Sequence, residues 1–345
     1  MNSEPGIISK ESENVLVTGG GGFLGGAIVE RLAARGDRVH SFSRRTYPRL
    51  AALGVAQVSG DLADKDALSR AFEGIDLVFH VAAKTGVWGP YDAYHKTNVT
   101  GTLNVIDACR KNNIRRLVYT GSPSVVFNGR DMEGVDESAP YPESYPAHYP
   151  QTKALAEQAV IQAASEPLRT IVLRPHLIWG PKDTSLVPRI LARAKRLKQV
   201  GDGENLVDTV YIDNAAEAHI LAADRLAENP RLSGRCYFIT QDAPVRLWEM
   251  VNHILAAGGL PPVKGSISPG AARFLGAVLE TLYAFFKISA EPPMTRFVAE
   301  ELATAHWFDI SAAKKDLGYV PRVSTAEGLK RLESWLRENQ GSGAR

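Results

Sequence analysis

The chain has 345 residues, of which 44% are apolar and 23% are charged. This composition is that of a folded globular protein and excludes disordered, collagenous and coiled-coil chains. The 40 basic and 38 acidic residues leave a net charge of +2, which is too small for the basic face that nucleic acid requires. The length exceeds one average domain, so we expect an enlarged α/β unit with a smaller appended lobe.

The two ends of the chain and its cysteines indicate no further chemistry. Residues 1–13 are polar and include three glutamates, unlike a secretory signal, and we expect them to form a flexible tail. Residues 339–345 are predicted to form a second flexible tail. Cys109 and Cys236 are too far apart in sequence for a zinc or redox motif, so we expect no metal site and a cytoplasmic location.

Short β-branched runs alternate with helix-length segments over the first half of the chain. Such alternation is typical of a parallel sheet with helices on both faces. It predicts a Rossmann-type doubly wound α/β domain at 14–175, with a later contribution from about 209–240. Segments 176–208 and 241–338, which are rich in proline, are predicted to form a mostly helical substrate-binding lobe. The predicted strands are 14–18, 38–43, 55–58, 76–82, 115–121 and 168–174.

A glycine-rich segment, TGGGGFLG, follows the first predicted strand and opens a helix predicted to run to about residue 35. Glycine allows a tight turn and lets backbone N–H groups at a helix N-terminus approach a pyrophosphate. A glycine run alone is weak evidence, but this one lies between a strand and an amphipathic helix, as a dinucleotide site requires. We predict cofactor contacts at Gly19, Gly22, Phe23, Leu24 and Gly25.

The end of the second predicted strand indicates which dinucleotide binds. An NAD enzyme usually has an acidic residue there for the ribose hydroxyls, whereas this chain has Ser43, Arg44 and Arg45. A guanidinium can pair with a 2′-phosphate, which a carboxylate would repel. These residues favour NADP(H), with NAD(H) as the alternative, and two solvated arginines are the non-functional interpretation.

Tyr149 and Lys153 are the candidate proton-transfer pair. Residues four apart share a helix face, and an ammonium beside a phenol lowers the phenol pKa from its usual value of about 10. Tyr283 and Lys287 have the same spacing but lie in an apolar segment, where packing explains them. Ser122 favours the first pair, because it follows the fifth predicted strand at the sheet edge that binds ligands, where a hydroxyl can polarise a carbonyl.

Together these residues resemble the extended short-chain dehydrogenase/reductases over about 14–336. The likeness also rests on GDL at 60–62, HVAA at 80–83, NVTGT at 98–102 and LRP at 173–175. The resemblance implies hydride transfer at C4 of a nicotinamide, with Tyr149 moving the proton and Ser122 holding the carbonyl oxygen. It also implies that Lys153 holds the nicotinamide ribose and that Asn98 positions the relay to Lys153. The cofactor-binding residues implied are Asp61, Leu62, Ala82, Ala83, Tyr149, Lys153 and Pro175.

One sequence position distinguishes the branches of this family. Sugar-nucleotide epimerases and dehydratases usually carry an Arg that holds the nucleotide diphosphate at the position where this chain has Val207. The segment at 201–208 instead resembles the 3β-hydroxysteroid dehydrogenase branch, as do RPH at 174–176 and EPPMTRF at 291–297. A regulator that binds NADP without turnover is a non-enzymatic alternative, but such proteins lose the Tyr/Lys pair that is intact here.

Within that branch the chain is similar to two groups of enzymes, the 2-alkyl-3-oxoalkanoate reductases and the sterol-4α-carboxylate 3-dehydrogenases. YPRL at 47–50 favours the first group. The resemblance implies interconversion of a secondary alcohol and a ketone on a hydrophobic β-hydroxy or β-keto acid. Sterol or other 3β-hydroxysteroid dehydrogenation is the alternative, and sugar-nucleotide epimerisation or dehydration is less favoured. The candidate substrate contacts are Lys84, Ser124, His176 and Arg189.

The segment 271–288 is too short and too charged to span a bilayer. Arg273, Glu280 and Lys287 are spaced seven apart, so in a helix they form one narrow stripe and leave most of the circumference apolar. Such a helix packs inside the second lobe or at a homodimer seam, or it covers a lipid-like substrate. Peripheral contact with a membrane or with a pathway enzyme is the remaining interpretation.

Overall fold

The structure is a computed structural model that describes residues 12–340. A π-helical turn, His95–Thr100, lies between the helices Tyr91–Tyr94 and Gly101–Lys111. The strands are β1 (Asn14–Thr18), β2 (Arg38–Ser43), β3 (Ala56–Ser59), β4 (Leu77–His80), β5 (Arg116–Thr120), β6 (Met132–Val135), β7 (Arg169–Pro175), β8 (Ile178–Trp179), β9 (Gln199–Val200), β10 (Leu206–Val207), β11 (Val210–Tyr211), β12 (Arg235–Ile239), β13 (Val245–Arg246), β14 (Ser266–Ile267) and β15 (His306–Phe308). The helices are α1 (Phe23–Arg35), α2 (Pro48–Ala51), α3 (Lys65–Ala71), α4 (Tyr91–Tyr94), α5 (Gly101–Lys111), α6 (His148–Gln162), α7 (Leu186–Arg193), α8 (Ile212–Glu228), α9 (Leu247–Ala257), α10 (Pro269–Phe285), α11 (Arg296–Ala303) and α12 (Thr325–Gln340).

Seven parallel strands form the central sheet in the order β12-β7-β5-β4-β1-β2-β3. Alternate residues of each strand face opposite sides, so Val15 and Val17 pack with α1 and α8 while Leu16 packs with α3, α5 and α6. The chain reverses direction across the sheet between β1 and β4, which opens a crevice at the carboxyl edge where such folds bind ligands. The predicted doubly wound α/β fold is confirmed, and the predicted strands correspond to β1 to β5 and β7.

The second lobe shares segments with the first. A mixed four-stranded sheet has the order β13-β10-β15-β6. Its edge strand β6 lies inside the segment that the sequence assigns to the Rossmann domain, yet it pairs with β15 near the end of the chain. Conversely, α8 and β12 return to the central sheet from within 209–240. The two lobes are therefore interleaved along the chain.

The predicted tails lie mostly outside the described residues, at 1–11 and 341–345. Their inner ends differ from the prediction. The Ser12 hydroxyl donates to the carbonyl oxygen of Gly36 at 2.9 Å, and the backbone N–H of Glu13 donates to Asp37 at 3.3 Å. At the other end, α12 continues to Gln340.

A buried ion pair joins α6 to β7. Arg174 Nη2 donates to Glu157 Oε1 at 2.6 Å, and both side chains are at most 2% exposed. The Tyr141 hydroxyl donates to the same carboxylate oxygen at 2.8 Å. Because neither charge can reach water, each depends on the other for its solvation.

We expect Glu157→Leu to lower the free energy of unfolding by about 3–5 kcal/mol, because it leaves the Arg174 charge buried and unpaired. Urea unfolding followed by circular dichroism measures this change. The double variant Glu157→Leu with Arg174→Met should recover most of the loss. Glu228→Leu, which breaks an exposed pair with Arg225, is the control and should cost at most about 1 kcal/mol. Equal stability of Glu157→Leu and the wild type would contradict the account.

Candidate active site

The loop between β1 and α1 has a backbone that only glycine permits. Gly19 has a φ of +71°, and a Cβ on Gly25 would lie 2.2 Å from the carbonyl oxygen of Gly19. Gly22 is exposed and precedes the first turn of α1 without a side chain to cap its N–H groups. Phe23 and Leu24 begin the helix. Open N–H groups at the positive end of a helix dipole fit a dinucleotide pyrophosphate, so the residues present suit the predicted cofactor.

A chain of hydrogen bonds connects this loop to Asn98. The Thr18 hydroxyl accepts from the N–H of Ala82 at 3.2 Å and donates to His80 Nδ1 at 2.8 Å. His80 Nε2 then donates to the Thr102 hydroxyl at 2.9 Å, because that hydroxyl gives its own proton to the carbonyl oxygen of Asn98 at 2.6 Å. His80 is therefore neutral, and burial lowers its pKa to about 3. The chain fixes the carboxyl ends of β1 and β4 relative to Asn98.

Asn98 lies in the π-helical turn His95–Thr100, a local geometry that is frequent at functional sites. Its amide nitrogen donates to Thr152 Oγ1 at 3.0 Å and to the Lys84 carbonyl at 3.1 Å. Its amide oxygen accepts from the Lys84 N–H at 2.7 Å. Asn98 thus bonds to α6 one residue before Lys153, and it also fixes the backbone that follows β4.

Ser122, Tyr149 and Lys153 meet at the carboxyl end of β5. The Ser122 hydroxyl lies close enough to the Tyr149 phenol to oppose the rise of its pKa. Lys153 Nζ donates to the Tyr119 hydroxyl at 2.7 Å and to the Thr120 carbonyl at 2.6 Å. The structure therefore brings the three predicted residues together, beside Asn98 and the glycine loop.

The pKa of Tyr149 moves opposite to the prediction. Burial raises it, the nearby Ser122 hydroxyl opposes the rise, and the nearby Glu301 carboxylate adds to it. Lys153 is itself buried, which lowers its pKa to about 7 against the attraction of Glu157. Because both hydrogen bonds of the Lys153 ammonium go to β5, burial decides the protonation of the phenol, which stays neutral.

The remaining predicted cofactor residues lie at the ends of neighbouring strands. Ser43 ends β2, and Arg44 and Arg45 follow it in exposed positions. Arg45 Nε donates to the Tyr47 hydroxyl at 3.3 Å. The others are Asp61, exposed after β3; Leu62, buried against α5; Ala82 and Ala83, partly buried after β4; and Pro175, buried at the end of β7.

Tyr47 and Arg49 border the glycine loop but were not predicted as site residues. A Cβ on Gly21 would lie 1.9 Å from the Tyr47 ring. Arg49 Nη2 donates to the carbonyl oxygens of Gly21 and Gly22 at 2.7 and 3.0 Å. The only sequence signal for them was the YPRL motif, because their approach to the loop depends on how α2 folds back.

Two of the predicted substrate contacts are committed to other partners. Arg189 Nη2 lies 3.4 Å from Glu291 Oε2. His176 Nε2 donates to His306 Nδ1 at 2.7 Å, because His306 Nε2 gives its proton to the Glu301 carbonyl at 2.9 Å. Burial lowers the pKa of His176 well below its usual value. His176 is therefore neutral and offers no charge to a carboxylate.

Lys84 and Ser124 each bond to a predicted catalytic residue, Lys84 through its backbone N–H to Asn98 and Ser124 through its hydroxyl to Ser122. Lys84 Nζ lies 4.9 Å from the centre of the Tyr94 ring, and within residues 12–340 it forms no ion pair. The Ser124 hydroxyl lies 2.9 Å from that of Ser122 and lines a small cavity together with Glu301. Glu301 was not predicted, since no motif marks it. Burial raises the pKa of its carboxyl to about 7, and the charge of Arg189 opposes that rise.

Comparison with known proteins agrees with this geometry. The 3-beta hydroxysteroid dehydrogenase/isomerase family matches residues 16–267. The chain belongs to this family. It is 50% identical over 324 residues to the 2-alkyl-3-oxoalkanoate reductase of Stenotrophomonas maltophilia, covering 93% of this chain and 98% of that protein. It is 37% identical over 334 residues to the decarboxylating sterol-4-alpha-carboxylate 3-dehydrogenase of Schizosaccharomyces pombe, covering 94% and 97%.

The solved structure of MoeE5 in complex with UDP-glucose and NAD matches 95% of this chain and 99% of its own with a TM-score of 0.73. At 24% identity this likeness shows the shared fold alone. Family membership makes the chain an NAD(P)-dependent oxidoreductase, which confirms the enzyme class predicted from the motifs.

We expect Tyr149→Phe to lower kcat by about 10²–10⁴-fold, because the ring still packs but has no proton to transfer. Dinucleotide affinity, followed by fluorescence titration, should stay at the wild-type value. Tyr283→Phe is the control with the same spacing to a lysine, and it should change neither quantity. Wild-type turnover by Tyr149→Phe would remove Tyr149 from the mechanism.

Lys153 should also leave a signature in the stability of the cofactor-free protein. Its pKa is about 7 in the fold and about 10.4 in an unfolded chain. Between these values the unfolded chain binds the extra proton, so the free energy of unfolding of the wild type should rise from pH 7 to pH 10.

Lys153→Met has no titrating group at this position. The free energy of unfolding of Lys153→Met minus that of the wild type should therefore be largest near pH 7 and shrink toward pH 10. Urea unfolding across this range measures the difference. Lys330→Met, at an exposed position of α12, should run parallel to the wild type. A difference between Lys153→Met and wild type that does not vary with pH would contradict the lowered pKa.

Proposed function

We propose that the chain reduces the ketone of a hydrophobic β-keto acid with NADP(H), as a 2-alkyl-3-oxoalkanoate reductase does. The observation that carries this proposal is the burial of Val207. Val207, at the position of the diphosphate-binding Arg, is fully buried in β10 between β13 and β15. An aliphatic side chain in the core cannot hold a diphosphate, which argues against sugar nucleotides. The reductase that is 50% identical over nearly its whole length supports the same substrate class.

The protonation state of the site suits reduction. The bound dinucleotide supplies the hydride that the ketone carbon gains. Ser122 donates a hydrogen bond to the ketone oxygen as negative charge develops on it. Tyr149 then gives its phenol proton to that oxygen, and the raised pKa of the buried phenol keeps this proton in place at neutral pH. Lys153 donates a hydrogen bond to the Thr120 carbonyl at the end of β5 and so fixes the turn of α6 that carries Tyr149.

Lys84 is the group that we assign to the substrate carboxylate. Asn98 fixes its backbone at two points, and its ammonium lies over the ring of Tyr94, a residue near enough to Tyr149 to raise the pKa of that phenol. Arg189 is paired with Glu291 and His176 is neutral. Among these three candidates, Lys84 is the charged group that forms no ion pair within residues 12–340.

The preference for NADP(H) rests on the end of β2. Arg44 and Arg45 are exposed there, and among the described residues no carboxylate follows Ser43 directly. The ring of Tyr47 supports Arg45, whose guanidinium lies 5.4 Å from the ring centre. Two guanidiniums at this position can pair with the 2′-phosphate that distinguishes NADP from NAD.

We expect the double variant Arg44→Ala with Arg45→Ala to weaken NADPH binding at least tenfold and to leave NADH binding unchanged. The reason is that a hydrogen bond to a charged group contributes about 1.5–3 kcal/mol. Fluorescence titration of both cofactors measures this effect. Arg110→Ala with Lys111→Ala, an exposed basic pair at the end of α5, is the control. Equal affinity of the wild type for NADPH and NADH would contradict the proposed preference.

A panel of three substrates tests the proposed function. We expect a 2-alkyl-3-oxoalkanoate to drive NADPH oxidation, with no activity toward UDP-glucose. If a sterol-4α-carboxylate with NADP⁺ is the one substrate of the panel that reacts, the chain is assigned as a sterol-4α-carboxylate 3-dehydrogenase. The relative that is 37% identical supports this second candidate function. Epimerisation of UDP-glucose would overturn the proposal.

A further inference from the structure

Glu301 of α11 is an acid beside the active site that takes no part in the proposed hydride and proton transfer. It is partly buried and lines a small cavity together with Ser124 and Phe308. Its charge acts on the phenol of Tyr149, whose pKa it raises. Within residues 12–340 its carboxyl forms no ion pair and no hydrogen bond to another side chain. The acid is therefore free to take a partner in the cavity.

Ser124 connects this cavity to the proposed catalytic serine. Its hydroxyl lies 2.9 Å from the Ser122 hydroxyl, and its N–H donates to the same Ser122 oxygen at 3.3 Å. The free space in the cavity is about that of one water molecule. A single water can therefore bond to both the Glu301 carboxyl and the Ser124 hydroxyl. Water and hydroxyl groups then form one continuous path from Glu301 to Ser122.

The direction of the hydrogen bonds along this path depends on the proton of Glu301, because each hydroxyl has one proton to donate. A protonated Glu301 donates into the path, Ser124 donates to Ser122, and the Ser122 proton is left for the reacting oxygen of the substrate. A charged Glu301 accepts instead, so Ser122 donates to Ser124 and turns a lone pair toward the reacting oxygen. The protonated acid therefore keeps Ser122 as a donor to the substrate.

The surroundings of Glu301 supply this proton near neutral pH. Burial raises the pKa of its carboxyl to about 7, and the charge of Arg189 on α7 opposes the rise. That guanidinium also lies 3.4 Å from Glu291, which shares its charge. The acid is therefore mostly protonated near pH 6 and mostly charged near pH 9.

The other titratable groups around Glu301 add no net charge. They are the neutral phenol of Tyr149 on α6, the neutral imidazoles of His176 and His306 in the cavity wall and, on α11 itself, Glu300, which is paired with Arg273 of α10. Arg189 is thus the one unneutralised charge among these neighbours that acts on Glu301.

We propose that Glu301, in its protonated form, is a positioning residue that aims the Ser122 hydroxyl at the reacting oxygen of the substrate. It acts through one water molecule and Ser124, and its role requires no contact with the substrate. Reduction and oxidation need the same arrangement, because both directions pass through one transition state. The inference rests on the proposed function only in that the site interconverts a ketone and an alcohol, whichever carbon skeleton carries them.

The pH profile of ketone reduction tests this role. We expect kcat/KM of the wild type, divided by that of Glu301→Gln, to fall about tenfold from pH 6 to pH 9, because the amide keeps a donor that does not titrate. The ratio cancels the titration of Lys153 and Tyr149, which both proteins retain. Glu301→Leu, without a donor, should be about tenfold slower than Glu301→Gln at every pH. Glu300→Gln is the control on the same helix and should follow the wild type.

Ser124→Ala separates the hydroxyl path from the plain charge of Glu301. With the path broken, Ser124→Ala and the double variant Ser124→Ala with Glu301→Gln should have the same kcat/KM at every pH. If the charge acted on Tyr149 through space, these two proteins would still differ above pH 7, and that result would refute the path.

Infrared spectroscopy of the protein without substrate separates this inference from the proposed function. The difference spectrum between pH 6 and pH 9 should contain the C=O band of a protonated carboxyl group. That band should vanish in Glu301→Gln and shift in Ser124→Ala, because the carboxyl loses its path to the hydroxyl.

A band that neither substitution changes, or a ratio of wild type to Glu301→Gln that does not vary with pH, would overturn the inference. Failure of the wild type to reduce a β-keto acid would contradict the proposed function alone. The pH profiles are then measured with a sterol-4α-carboxylate, and the infrared result stands in either case.

Discussion

The attachment of α6 to the central sheet determines the geometry of the active site. Within two turns, this helix bonds to three different elements. Thr152 accepts from Asn98, Lys153 donates to the end of β5, and Glu157 pairs with Arg174 of β7. Because all three contacts are buried and directional, the helix has one position on the sheet. Tyr149, one turn before Lys153, is thereby held against Ser122.

These buried polar groups also decide the protonation of the site. A low-dielectric surrounding disfavours charge. It raises the pKa of the Tyr149 phenol, which stays protonated, and it lowers the pKa of Lys153 to about 7. His80 is neutral for the same reason and passes hydrogen bonds from β1 to the π-helical turn that carries Asn98. The sequence analysis expected a lowered Tyr149 pKa, which favours the phenolate, whereas the fold raises it. A raised pKa suits reduction, because that direction requires a phenol that still holds its proton.

Local sequence signals were sufficient to predict the central sheet and the clustering of the proposed catalytic residues. Strand β1 and the glycine loop follow from residue type and spacing, and Ser122, Tyr149 and Lys153 follow from the motif together with its place at a strand end. Tyr283 shows that spacing alone does not suffice. It has a lysine four residues later, yet it packs against Trp88 beside an exposed Lys287.

The features that were not predicted depend on contacts between distant segments. Strand β6 pairs with β15 across about half the chain, and Glu301 reaches the site only because α11 precedes that strand. The neutral state of His176 depends on His306, 130 residues away. The direction of the Tyr149 pKa shift depends on the partial burial of the phenol and on the neighbouring Glu301 carboxylate, both of which the fold supplies. No local pattern encodes these quantities.

The central claim is that this site transfers hydride to a ketone carbon and a proton from Tyr149 to its oxygen. The most direct measurement uses NADPH deuterated at the transferable C4 position, a 2-alkyl-3-oxoalkanoate as acceptor and mass spectrometry of the product. The account predicts one deuterium on the carbon that bears the new hydroxyl group, with deuterated NADPH consumed in equal amount. A product without deuterium, or deuterium that remains entirely in the dinucleotide, would contradict it.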